Sequence, residues 1–355
     1  MKKIIIVGRG LAATCLMHQC RTQNIDFICI GKDNLSLSSR VAGGVWNPVV
    51  FKRMTSSWMA DQLVPSLLAF YRLCEERLGE KFVQIRQLIK PFTETQEKNL
   101  WQKKAGGELQ QFLDMKMHDA GQMHEGLSIS NQYGEVKQAG NLNTNLFLDA
   151  SAKYFRAQIV DEIFDYAALQ MNQSGLHYKH LSADAIVFCE GYLVKNNPYF
   201  NWVPLVPAKG ETFTISGLGL KLSDFIFNKD GFLIDLGNDT YKVGATYEWK
   251  DLSDATSEAG KLSLIQKLSK ITTRPYKIEA HEAGVRPSSI DRRPIVGKHP
   301  EHPQLYIFNG LGAKGVMLAP YFTENFVHCY LQKQTFPAEV DVKRFYHMYE
   351  SSATK

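Results

Sequence analysis

Three groups of residues in this chain have the types and spacing to do chemistry. The first is Gly8-Arg9-Gly10-Leu11-Ala12-Ala13, a GxGxxA turn. Gly8 permits a tight turn, Gly10 lets the backbone approach a pyrophosphate, and Ala13 lets a helix pack closely on a strand. Leu11 and Ala12 would open that helix, whose N-terminal N–H groups favour phosphate charge. The second is Arg286, set between Gly284 and Pro287. A guanidinium is a planar fork that pairs bidentately with a carboxylate. That carboxylate belongs either to a ligand or to Asp291 or Glu282 in the chain itself. The third is Asn309-Gly310-Leu311-Gly312-Ala313-Lys314-Gly315-Val316. Its glycines open a helix carrying Leu318, Phe322 and Phe326, so it presents a second set of free N–H groups. Lys314 adds a formal charge there or points into solvent.

These residues need elements to hold them. Lys3 to Val7 is a short β-branched run of the kind found in buried parallel strands. A helical pattern with Leu11, Cys15, Leu16 and Cys20 near one face follows the glycines, and Phe27 to Ile30 gives a second buried strand. Strand, glycine turn, helix and strand within about thirty residues is the context a dinucleotide fingerprint requires. One part of that fingerprint is missing. An acid should close the second strand to hold the ribose hydroxyls, yet Gly31-Lys32-Asp33 stands there. Asp33 could serve from two residues on, backbone groups could hold the ribose, or Lys32 could meet the 2′-phosphate of NADP.

Composition narrows the class. The 355 residues are 44% hydrophobic and 22% charged, with 26 glycines and 13 prolines, so the chain is neither disordered nor fibrous. At about 150 residues per domain the length suggests two domains. A net charge of +5 gives no footprint for nucleic acid. The six cysteines, at 15, 20, 29, 74, 189 and 329, include no CxxC pair and suit buried thiols in a reducing compartment. The close histidine pairs, His177 with His180 and His299 with His302, lack partners at zinc spacing, so no metal is expected. The apolar start is too short for a signal peptide, and no run spans a bilayer; a cytoplasmic protein is expected.

Further motifs extend over most of the chain. Ser38-Ser39-Arg40-Val41-Ala42-Gly43-Gly44-Val45-Trp46-Asn47-Pro48 lies near the start, Val187-Phe188-Cys189-Glu190-Gly191 in the middle, and Gly284-Val285-Arg286-Pro287 through Gly297 near the end. Taken in order with the 309–320 segment, they closely resemble the FAD-dependent D-amino-acid oxidase family, which includes glycine oxidase and sarcosine oxidase. Pro207-Ala208-Lys209-Gly210-Glu211 is similar to the family's Pro-x-Arg-Gly-Gln element, with Lys for Arg, and Lys242-Val243-Gly244-Ala245-Thr246 to its strand beside the flavin.

The resemblance implies an α/β fold: a Rossmann-like FAD-binding domain with a parallel sheet, plus an interleaved, mainly antiparallel sheet domain for substrate. The cofactor motifs would divide the chain into 1–79, 136–204 and 276–355 for FAD, and 80–135 with 205–275 for the substrate. FAD would rest on Gly8, Gly10, Leu11, Ala12, Ala13, Lys32, Asp33, Arg40, Ala42, Gly43, Gly44, Cys189, Gly191, Arg286, Gly310, Gly312, Ala313, Lys314, Gly315 and Val316. It would be non-covalent, because no cysteine falls near Arg286. The implied reaction is hydride transfer from a carbon bearing nitrogen to flavin N5, with the imine hydrolysed in water. Arg286 would hold a substrate carboxylate. Lys242 would face N5 and oxygen, or be a solvated lysine. Thr246 and Tyr247 would line the pocket, though strand alternation puts them on opposite faces. The competing readings are an NADP-dependent dehydrogenase and a flavin-binding protein without turnover. Substrate identity, electron acceptor and oligomeric state are left open.

The remaining segments give amphipathic helical patterns over Trp58–Leu78, with Pro65 inside and Gly79 as a stop, and over Ser257–Ile271. Glu97–Leu113 should be helical with a break at Gly106-Gly107, and a helix should run through Phe147–Tyr154. Phe213–Glu248 should form hairpins turning at Lys229-Asp230-Gly231 and Gly237-Asn238-Asp239. The tail from Asp341 carries no signal.

Overall fold

A computed structural model describes residues 2–33, 38–119, 126–129, 132–172 and 175–353. The apolar run Lys3–Val7 forms a strand that is paired in parallel on both sides, by Asp26–Ile30 and by Ala185–Phe188. It is the centre of a six-stranded sheet ordered Ile159–Val160, Asp26–Ile30, Lys3–Val7, Ala185–Phe188, Leu305–Asn309 and Ile295–Lys298. All neighbours are parallel except the last pair. A parallel neighbour requires a crossover, and helix α1, Leu11–Thr22, supplies the first one.

Helix α1 is buried almost all round. Besides the expected Leu11, Cys15, Leu16 and Cys20, it buries Thr14, His18 and Gln19. It packs with helices from far along the chain: α3 (Ala60–Leu78), α5 (Thr144–Tyr154) and α7 (Gly315–Gln332). A buried His must be hydrogen-bonded. The His18 ring meets Ser151 Oγ at 2.9 Å through Nε2 and accepts from Arg77 through Nδ1 at 3.1 Å. Because Arg can only donate, the proton sits on Nε2. Burial, with Arg77 beside it, pushes His18 down to about 3, so it stays neutral.

Helix α3 starts at Ala60 and carries Pro65 inside it, then ends where Gly79 takes φ +71. Four further helices sit between and beyond these elements: α2 (Ser38–Val41), α4 (Thr95–Ala105), α6 (Glu258–Ser269) and α8 (Tyr346–Ala353). Helix α4 ends at Gly106. In α6 the Ser257 side chain caps the first turn, accepting from Gly260 N at 3.0 Å.

The second sheet has eight strands, ordered Lys277–Arg286, Ala208–Ser216, Thr240–Gly244, Phe232–Gly237, Phe225–Asn228, Gln87–Pro91, Gln132–Val136 and His118–Asp119. Only the Phe225–Asn228 and Gln87–Pro91 pair is parallel. Hydrogen bonding thus carries this sheet to Arg286, past the division expected at 276. The tail also differs from expectation. A 3-10 turn at Val342–Phe345 leads into α8, whose Tyr346 and Tyr349 rings pack at 6.1 and 5.4 Å from Trp202. The element depends on a partner some 150 residues away, so no local pattern announces it.

Candidate active site

The chain leaves its central strand toward one side of the six-stranded sheet first and toward the other side later. The carboxyl ends of Lys3–Val7 and Ala185–Phe188 therefore flank a switch point, where α/β sheets bind ligands. Gly8 and Cys189 face each other there: Cys189 N donates to Val7 O at 2.7 Å, and Gly8 N to Ile30 O at 2.8 Å. Gly8 adopts φ +121, and a Cβ on it would sit 2.5 Å from the Cys189 carbonyl oxygen. Gly10 stands at the start of α1 with φ −83, and its nearest neighbour would be Ser39 Oγ at 3.3 Å. The first helical N–H, that of Leu11, donates to the same Ser39 Oγ at 3.1 Å.

From this point a cavity of about 650 Å³ runs to the second sheet, a size within the usual range for ligand sites. Of the residues expected to hold a cofactor, Gly8, Gly10, Leu11, Ala12, Lys32, Asp33, Arg40, Ala42, Gly43, Gly44, Cys189 and Gly191 line it. At the other end Gly312, Ala313, Gly315, Val316 and Arg286 do so. Ala13 and Gly310 support the wall from behind. Ala13 is fully buried in the core under the turn, and Gly310 takes φ +75 against the Arg293–Ile295 backbone. Phe232 also lines the cavity, and its ring packs against Gly43 so closely that a Cβ there would lie 2.7 Å from Cζ.

The missing acid has a structural counterpart. Asp161 follows the strand Ile159–Val160, which pairs with the end of Asp26–Ile30. It accepts from the Asp33 amide at 3.1 Å and from Arg9 at 2.9 Å, and these partners hold its carboxyl below the usual range. An acid thus stands next to Gly31 but comes from the neighbouring strand, and it turns to Arg9. Arg40 bridges Asp149 at 2.6 Å and Asp33 at 3.3 Å.

Glu190, which the sequence places only at the strand end beside Cys189 and Gly191, is a lining residue to which sequence reasoning gives no role. It lines the cavity beside Gly191 and accepts hydrogen bonds from Tyr166 and, at 2.7 Å, from Asn197. Burial pushes its carboxyl up to about 7. A carboxyl whose folded pKa exceeds its unfolded value near 4.5 binds the proton more tightly when folded. Stability is then greatest below pH 4.5 for this group and falls as pH rises to about 7, by at most about 3 kcal/mol. Denaturant titrations at pH 5, 6, 7 and 8 should show that decline, and Glu190→Gln should flatten it. An equal slope in the variant sinks the assignment.

At the opposite end Arg286 closes the strand Lys277–Arg286. Its Nη1 donates to Thr246 O at 3.2 Å, and the guanidinium lies 4.3 Å from the centre of the Tyr247 ring. Gly210 lies directly beneath it; a Cβ there would overlap the guanidinium. Neither acid of the chain that could have claimed Arg286 does so. Asp291 binds Arg344 at 2.8 Å, and Glu282 binds Lys242 at 3.2 Å. Burial pushes the Arg286 guanidinium down from its ordinary value. Among the described residues no carboxylate pairs with it.

The other expected catalytic residues separate. Tyr247, 56% exposed, lines the cavity and stacks with Trp249. Its strand ends at Gly244, so alternation does not extend to it. Thr246 turns inward, and its hydroxyl accepts from Glu211 N at 2.8 Å. Lys242 is 7% exposed, held by Glu282, and outside the cavity lining. Lys314 also lies outside the lining, and its ammonium donates to Ser57 Oγ at 3.1 Å. Partial desolvation and the guanidiniums of Arg53, Arg292 and Arg293 push it down.

Comparison with known proteins agrees with this geometry. The model of the family described as FAD dependent oxidoreductase (DAO) matches residues 3–324. The glycine oxidase of Bacillus subtilis (strain 168) is 27% identical over 118 residues, 32% of each chain. That match spans about a third of the relative's length. In structure, glycine oxidase from Geobacillus kaustophilus superposes with TM-score 0.78 at 19% identity, covering 96% of this chain and 99% of that one. L-proline dehydrogenase from P. horikoshii gives 0.76 at 14% identity, covering 98% of each. At these identities the structures establish a shared fold.

Proposed function

Because this chain belongs to the DAO family of FAD-dependent oxidoreductases, we propose that it oxidises a small amine or amino acid bearing a carboxylate, with FAD bound non-covalently. The observation that carries the substrate class is Arg286, a desolvated guanidinium on the cavity wall with no carboxylate among the described residues to neutralise it. Leaving such a charge unpaired is costly, and a ligand carboxylate would supply the partner.

The cavity suits FAD at both ends. Gly8 and Gly10 leave backbone exposed at the N-terminus of α1, where a pyrophosphate would sit. Gly312, Ala313 and Gly315 expose the N-terminus of α7, whose positive dipole favours negative charge on the flavin's pyrimidine edge. Cys189 is the one cysteine among the described lining residues, and burial pushes its thiol well up, which disfavours covalent attachment. Bound there, FAD supplies the hydride acceptor. The protein orients the donor carbon: Arg286 anchors the carboxylate, Tyr247 holds the Arg286 plane from one face, and Gly210 gives it room from the other. FAD in this family replaces the NADP reading that Lys32 suggested.

The same reading places the protein in a reducing cytoplasm, supported by six cysteines that are all free and buried. No helix among the described residues is long and apolar enough to cross a membrane.

Anaerobic mixing with glycine, sarcosine, proline, D-amino acids, their decarboxylated amines and hydroxy acids tests the proposal. At least one amino acid should bleach the yellow protein, and its decarboxylated amine should bleach it far more slowly. Bleaching by hydroxy acids alone, or by none of the panel, refutes the substrate class.

A further inference from the structure

The sequence offered no metal site, because its histidine pairs lack acidic neighbours at ligand spacing. The second sheet assembles a different cluster at its edge, outside the lining of the nucleotide cavity. The chain runs antiparallel to Gln132–Val136, first at Leu113 opposite Val136 and then, after a turn, as His118–Asp119. Asp114 N donates to Glu135 O at 2.9 Å. His118 lies opposite Tyr133, with the rings stacked at 5.2 Å. Glu135 is two residues along the same strand, so it shares the face of Tyr133 and His118. This register brings three ligand-type atoms together: His118 Nε2 is 3.6 Å from Asp114 Oδ2 and 3.7 Å from Glu135 Oε1. All three groups lie within 4.8 Å of one another.

The cluster is not satisfied by the protein. Its Glu135 side chain is only 9% exposed and accepts no hydrogen bond among the described residues. His118 Nε2 is buried and likewise lacks a hydrogen-bond partner. Asp114 keeps Oδ2 for the cluster, since its Oδ1 takes the Lys116 amide at 3.1 Å. The Lys116 side chain is the other nearby cation and opposes an ion there. A buried carboxylate normally has a donor; here Glu135 has none among the described residues, and it converges with the partly exposed Asp114 on an imidazole Nε2 that lacks a hydrogen bond. Tetrahedral zinc with bonds of about 2.0–2.2 Å sets its ligands about 3.4 Å apart. The two His118 distances already approach that value.

We infer that Asp114, His118 and Glu135 form a binding site for a divalent transition-metal ion of the zinc type, with water as the fourth ligand. The ion would bind one imidazole nitrogen and two carboxylate oxygens. It would clip the 114–118 turn to the strand Gln132–Val136 and take no part in the flavin chemistry.

The test uses the FAD-bound protein, stripped with chelator and then given ZnCl2. After dialysis, elemental analysis should find about one zinc per chain, and the melting temperature should rise by several degrees over the stripped form. His118→Gln and the near-isosteric Glu135→Gln should each retain at least tenfold less zinc and lose the thermal shift. Both should keep the flavin absorbance, which reports an intact fold. His347→Gln, on the exposed face of α8, should behave as the parent. The site is refuted if the parent takes up no zinc, or if the two ligand variants retain as much as the parent. In that case His118 is an ion-pair partner of the two carboxylates.

Discussion

Arg286→Ala should lower kcat/KM for a carboxylate-bearing substrate by about 100-fold while leaving the melting temperature unchanged. Removing one partner of a desolvated charge pair costs about 2–5 kcal/mol, and about 3 kcal/mol is a factor of roughly 100. Both kinetic parameters should suffer. The carboxylate contact contributes to KM, and the orientation it enforces contributes to kcat. Stability should hold because the free protein gains little from this side chain. Among the described residues its only hydrogen bond is to Thr246 O, and its contact with Tyr247 is worth about 0.5–1 kcal/mol. Arg286→Lys keeps the charge but loses the fork, so it should recover only part of the loss. Gly210→Ala offers an independent route to the same end, because its methyl would occupy the guanidinium's place. The corresponding decarboxylated amine supplies the control. Its turnover, however slow, should not change in Arg286→Ala. Equal losses for acid and amine would mean that Arg286 shapes the pocket without reading a carboxylate.

The parts of this site visible in sequence are those whose chemistry is local. The 8–13 turn, Gly312 and Gly315 at the start of α7, and Arg286 between Gly284 and Pro287 all lie in short segments. In each, residue type alone points to the backbone path or to the chemistry a ligand would meet. What stayed hidden depends on register between distant strands. Asp161 neighbours Gly31 only because Ile159–Val160 pairs with the second strand. Glu190 was visible as a residue but not as a partly buried acid with a raised pKa, since Tyr166 and Asn197 enclose it from either side in sequence. The same limit applies to Lys242. Alternation placed it on the face shared with Gly244, and the pairing with Glu282 arises from the strand Lys277–Arg286, which lies beyond the intervening Ala208–Ser216. Tyr247 escaped alternation because its strand had already ended. The broad fold was legible for a related reason: parallel strands with glycine turns repeat their signature locally, whereas the edge cluster at Asp114, His118 and Glu135 exists only once the second sheet has folded.

Gly10→Ala and Gly8→Ala should fail in different ways, although one substitution is made in the same turn. At Gly10 the backbone has φ −83, which alanine adopts freely, and among the described residues a new Cβ would meet only the Ser39 hydroxyl, at 3.3 Å, a side-chain atom that can shift by a few tenths of an ångström. The protein without cofactor should therefore fold with an unchanged melting temperature. The methyl would stand where a pyrophosphate must approach the backbone. Overpacking of that kind costs about 1–3 kcal/mol, so FAD affinity should fall by about 10- to 100-fold and the purified protein should be pale. Gly8 is different. Its φ of +121 is hostile to any side chain, and the new Cβ would press on the Cys189 carbonyl, a backbone atom fixed by its own strand pairing. Gly8→Ala should thus lose several kcal/mol of stability before any cofactor is considered, and should accumulate as insoluble protein. Fluorescence titration of FAD onto the stripped proteins, with thermal melts of the same samples, separates the two outcomes. A Gly10→Ala protein that binds FAD as tightly as the parent would show that the pyrophosphate does not rest on this turn. A Gly8→Ala protein that melts with the parent would show that the turn can relax away from Cys189.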